Sequence, residues 1–73
     1  MAYLCVDSRG EFIADEYPTR GWDEWHGWKD VYGESCTLIR IPSGTIKKLI
    51  GKEMTWEDEP IDLEEFMYHN GEL

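Results

Sequence analysis

Three prolines, Pro18, Pro42 and Pro60, punctuate a chain of only 73 residues. Proline lacks the backbone donor that a helix interior or a central strand requires. Pro18 therefore ends the second strand and Pro42 stops the third, while Pro60 follows an acidic run. Before Pro18 the chain reads as a hairpin. Residues 2–7 alternate, with Leu4 and Val6 on one face and Tyr3 and Cys5 on the other. Ser8-Arg9-Gly10 carries the turn, and residues 11–17 form the return strand. Residues 35–41 give the clearest single strand, with Ile39 and Ile41 on one face and Leu38 and Arg40 on the other, ended by Pro42.

Ser43 has the chemistry of an N-cap for a helix over residues 44–50. Ile46, Leu49 and Ile50 are spaced as its buried face, and Gly51 suits its left-handed C-terminal stop. Lys47, Lys48 and Lys52 complement the negative end of that helix. Residues 52–60 read as extended or looped, with Met54 and Trp56 inward. Asp62 and Glu65 form a capping-box pair ahead of Leu63, Phe66 and Met67, which predicts a second short helix ending near Asn70. The whole chain, 1–73, is one domain. Strands grouped before helices predict an α+β fold: a small antiparallel sheet of three to four strands, one main helix packed on one face, and a short C-terminal helix.

A chain this short buries only about 60% of the surface its unfolded form exposes. Its apolar fraction of 41% is modest, but four Trp, four Tyr and two Phe can each remove roughly 150–250 Å² from water. These rings argue against disorder despite a net charge of −9, from 16 acidic and 7 basic residues. That charge repels phosphate backbones and anionic membranes, disfavours direct nucleic-acid binding and favours a partner with a basic surface. It also serves solubility. The opening residues carry no basic segment ahead of an apolar run, and no stretch reaches the roughly 18 apolar residues of a membrane span. The expected location is a reducing cytoplasm, with Cys5 and Cys36 as thiols.

Ile41 to Gly51, followed by Met54 to Pro60, resembles short uncharacterised proteins of gut anaerobic bacteria and their phages, which also tend to open with a strand like Tyr3–Asp7. The resemblance covers about half the chain and implies a phage or mobile-element origin. No activity is assigned to that group, so it lends no functional residue.

Motifs for catalysis are missing. Glu57-Asp58-Glu59 and Asp62 lack the Asp-rich pattern and the turn glycine of a calcium loop. Paired carboxylates need burial to become acid–base catalysts, and these lie in polar stretches. Cys5, His26, Cys36 and His69 lack zinc-knuckle spacing, and no motif supports a nucleophilic Cys–His pair. No cofactor or metal is expected, and the chain reads as a non-enzyme.

The remaining constellation is Arg20, Trp22, Trp25, His26, Trp28, Lys29 and Tyr32, set in a glycine-rich stretch read as a structured loop with a short strand near 25–29. Three readings stay open. The rings complete the core; or they anchor another protein, as Trp, Tyr and Arg do at interface hot spots; or they stack on a nucleotide whose phosphate meets Arg20, Lys29 or Arg40. The expectation is a protein-interaction module that occupies the surface of a larger bacterial protein. Given the resemblance, a phage inhibitor of a host defence protein is its concrete form. A small-ligand binder, such as a sponge for a nucleotide signal, is the alternative. Oligomeric state stays open, self-association included.

Overall fold

The structure, a computed structural model, describes residues 2–30, 32–34 and 37–70. The hairpin forms as its alternation requires. Strand β1 (Tyr3–Asp7) pairs antiparallel with β2 (Gly10–Ala14). Strand β5 (Leu38–Ile41) adds to the outer side of β2, and β6 (Ile61–Asp62) adds to β1. The result is a four-stranded antiparallel sheet in the order β5-β2-β1-β6. A second, two-stranded sheet joins β3 (Thr19–Arg20) to β4 (Trp28–Lys29). Helix α1 spans Thr45–Ile50 and α2 spans Leu63–Asn70.

Because β1 is central, both of its faces are covered. Leu4 packs with Ile46, Ile50 and Met54, flanked by Val6, Ile13, Ile41, Ile61, Leu63 and Phe66. Cys5, on the opposite face, packs with Phe12 and Trp28, flanked by Leu38 and Trp56. Period-two alternation thus assigns alternate residues of one strand to two separate apolar clusters. The helices lie on the first face and the β3–β4 ribbon on the second. The expected α+β class is present, and the antiparallel sheet, expected with three to four strands, has four.

The helical part differs from expectation in three ways. Among the described residues there is no main helix: α1 has six residues and α2 has eight. Pro42 and the left-handed glycines Gly44 (φ 91°) and Gly51 (φ 83°) confine α1 to less than two turns. Leu49 is not core. It is 42% exposed, while Ile46 and Ile50 are buried. Helical residues advance by about 100° each, so a helix this short turns one narrow stripe inward, and Leu49 falls outside it. Ser43 is not the cap. The N-cap position is Gly44, which has no side chain to offer. Glu11 of β2 supplies the carboxylate instead, accepting from Gly44 N at 2.8 Å through Oε2 and from Ile46 N at 2.9 Å through Oε1.

The C-terminal features follow the sequence more closely. Gly51 donates its N–H to the Lys47 carbonyl at 2.8 Å, the expected αL stop. Asp62 accepts from Glu65 N at 3.1 Å at the start of α2. Strand β2 ends at Ala14 rather than Tyr17, and Pro18 is fully buried. The expected strand over 35–41 is present from Leu38; Ser35 and Cys36 lie outside the described residues. Among the described residues, no helix is long and apolar enough to cross a membrane.

Capping energies rank the substitutions. Glu11→Ala should cost about 0.5–2 kcal/mol through loss of the α1 cap, while Ser43→Ala stays within about 0.5 kcal/mol, as surface changes do. Ile46→Ala should cost about 2–5 kcal/mol as a core truncation, and Leu49→Ala clearly less than Ile46→Ala. Urea denaturation of the four variants checks the order.

Candidate functional site

Within residues 19–34, read from sequence as a loop with a short strand, residues 19–29 fold into the β3–β4 ribbon closed by two glycines. Gly21 N donates to Gly27 O at 2.9 Å. A Cβ on Gly21 would lie 2.1 Å from that carbonyl oxygen, so only glycine permits the closure. Gly27 takes φ 73°, and a Cβ there would meet Asp7 Oδ2 at 2.6 Å and Arg9 Nη2 at 2.7 Å. The base of the loop therefore seats directly on the β1–β2 turn. The buried Asp7 carboxylate also receives Arg9 through a backbone bond of 2.7 Å and a side-chain pair of 2.8 Å. Ser8 N adds a bond to Glu24 O at 3.0 Å.

Asp23 organises the loop between these anchors. Its Oδ1 accepts from Trp25 N at 3.0 Å, His26 N at 2.9 Å and His26 Nδ1 at 2.8 Å. Its backbone carbonyl accepts from His26 N and Gly27 N at 3.1 and 3.0 Å. A carboxylate accepts only, so His26 Nδ1 carries the shared proton. The His26 side-chain hydrogen bond, then the backbone one, hold the Asp23 carboxyl below its ordinary pKa. The His26 ring stacks on Trp22 at 5.6 Å between centroids and 24° between planes.

The seven residues singled out from sequence separate into two groups. Trp28 is core, 2% exposed, and its Nε1 donates to Val6 O at 2.8 Å. Arg20 is a structural cation. Its guanidinium lies 4.7 Å from both the Trp28 and Trp56 ring centroids, and those rings tilt against each other at 5.0 Å. It donates to the carbonyls of Trp56, Glu57 and Asp58 and pairs with Glu59 Oε2 at 3.2 Å. The second group is turned to solvent. Trp22 is 88% exposed, Trp25 71% and Tyr32 85%; His26 is exposed beside Trp22, and Lys29 is half-buried at the rim. Tyr32 sits on a turn built by Asp30, whose Oδ1 accepts from Tyr32 N at 2.8 Å and Glu34 N at 2.9 Å. An open depression of about 440 Å³ lies between the Trp22–His26 pair and the side chains of Arg20 and Lys29.

Among the weaker candidates, Cys5 is buried, and Arg40 is exposed on edge strand β5, opposite Phe12 in register and with its guanidinium beside Gly10. Cys36 and the side chain of His69 lie outside the described residues. Two contributors were not singled out from sequence. Asp23 carried a local signal, since Asp favours turns that bond their own backbone. The carbonyls of residues 56–58 carried none, because they meet Arg20 across 36 to 38 positions. No family model, curated protein or solved structure matches the chain.

Two outcomes test this division. Trp28→Ala should cost about 3–5 kcal/mol of unfolding free energy, whereas Trp22→Ala should cost no more than about 0.5 kcal/mol. Asp23 generates the second. With its pKa depressed in the folded loop, its stabilising contribution is present above the unfolded carboxylate pKa of about 3.9 and is lost as pH falls through the folded value. In an acid titration followed by NMR, the Trp22 and His26 ring resonances should move together at a pH below the ordinary aspartate value of about 3.9.

Proposed function

We propose that the chain is a protein-interaction module whose contact element is the loop Trp22–His26 with Tyr32 beside it. One observation carries this reading: two indoles stand almost fully exposed on a backbone that is tied down at both ends. An exposed indole on a mobile loop would carry an ordering penalty on binding. Here the Asp23 hydrogen bonds and the Gly21–Gly27 closure have already met that cost. Trp and Tyr are also the side chains that dominate interface energetics. The net charge of −9 supports a partner with a basic surface. The activity that follows is occupation of a larger protein's surface rather than turnover of a substrate, in a cytoplasmic setting.

The depression beside Trp22 supports a second reading, a small planar anion. Its volume of about 440 Å³ lies in the roughly 300–1,000 Å³ range of ligand sites, and Lys29 stands at its rim. Against that reading, Arg20 is engaged by Glu59 and by three carbonyls.

Affinity capture from lysate with the native chain and with Trp22→Ala and Trp25→Ala tests the proposal. Both variants should melt within a few degrees of the native chain and should weaken partner binding by about 2 kcal/mol or more each. Binding should also weaken as salt rises. Retention of the same proteins by both variants would overturn the reading. A thermal shift with nucleotides, unaltered by loss of the protein partner, would establish the second one.

A further inference from the structure

Resting on the interaction reading just given, we propose that the occupant of this loop is an arginine-bearing segment of the partner protein, its guanidinium laid on the open indole faces of Trp22 and Trp25. An aromatic face is the negative end of the ring's quadrupole and attracts a cation placed over it. One face of Trp22 is stacked on His26. The other belongs to a residue 88% exposed and is presented to solvent.

The charges around the indoles have the same sign preference. Asp23 and Glu24 lie between the two tryptophans, Glu34 follows Tyr32, and all three are exposed. The cations that sequence placed among them are committed elsewhere. Arg20 is held by Trp28, Trp56 and Glu59, and His26 Nδ1 is held by Asp23. What the loop itself presents to solvent is thus indole, the His26 ring and the carboxylates of Glu24 and Glu34, while Lys29 and the exposed part of Arg20 line the depression beside Trp22 and Arg9 is exposed at the base of the loop. At Glu24 and Glu34 an incoming phosphate would be repelled and an incoming guanidinium paired.

The molecule already contains this recognition geometry. Arg20, itself half-buried, lies 4.7 Å from two indoles while its N–H groups donate to carbonyls and one carboxylate. Arginine is favoured over lysine because its planar fork stacks and pairs at once and is less strongly hydrated. A second copy of this chain is a poor occupant, since each copy carries −9.

The test uses the intact, isotope-labelled chain and its indole N–H resonances. Three short probe peptides at millimolar concentration and low ionic strength differ only in one side chain: arginine, lysine, or citrulline, which is planar but neutral. The arginine peptide should shift the Trp22 and Trp25 signals and leave Trp28 and Trp56 in place. It should bind about two- to five-fold more tightly than the lysine peptide and should outcompete citrulline. The double variant Glu24→Gln and Glu34→Gln should lose most of the arginine response while keeping its melting temperature. Equal responses to arginine and citrulline, no response to arginine, a stronger response to adenosine monophosphate, or self-association of the chain through these indoles would each overturn the inference. If the peptides fail while Trp22→Ala and Trp25→Ala still abolish partner capture, the loop remains the contact element and only its arginine preference falls.

Discussion

The guanidinium of Arg20 joins the β3–β4 ribbon to the acidic turn at residues 56–59. It meets Trp28 and Trp56 at equal distance and gathers the carbonyls of residues 56–58. Trp28 in turn donates to Val6 at the sheet centre. The β3–β4 ribbon, the acidic turn at 56–59 and the second face of the sheet are thereby fixed to one another. A charge can occupy this position because its donors are satisfied by carbonyls and a carboxylate, because both ring faces attract a cation, and because the side chain keeps 31% exposure to water. The exposed loop inherits its rigidity from this arrangement, since its two ends are the strands that Arg20 and Trp28 occupy.

Much of the sheet was legible in the sequence because strand alternation is a local signal. Leu4 with Val6, and Cys5 opposite them, are placed where period two puts them. Gly51 and Asp62 were legible for a similar reason: each completes a backbone bond within four residues of itself. The failures share the opposite character. Ser43 had the right chemistry for a cap, yet the carboxylate of Glu11 arrives from 33 residues away. Leu49 fits a helical stripe in isolation, but α1 is too short for its whole apolar surface to face the sheet. Neither outcome is encoded within the helix itself.

The candidate site shows the same division. A cluster of seven residues could be found from composition, but its separation into buried and exposed members could not. Trp22, Trp25 and Trp28 look alike in sequence, each three positions from the next. The glycine closure at Gly21 and Gly27 breaks that periodicity by turning Trp28 inward as part of β4. Asp23 then holds Trp22 and Trp25 outside the closure. The same ribbon therefore serves as part of the core on one side and as a display surface on the other. A small chain gains by this arrangement, since it has too few aliphatic residues to keep core and surface wholly separate.

The carboxylate of Glu11 on the first turn of α1 also bears on the order in which the chain folds. A six-residue helix has no independent stability in water, because helix nucleation is unfavourable and so short a segment adds too few bonds to offset it. Its first backbone donors find their acceptor only after β2 is in place, and its two buried isoleucines have nothing to pack against until Leu4 and Ile13 face them. The local β1–β2 hairpin, whose closure spans the fewest residues, is thus the expected nucleus, with α1 expected to form after it. The helix depends on the sheet for both its first acceptor and the surface it packs against.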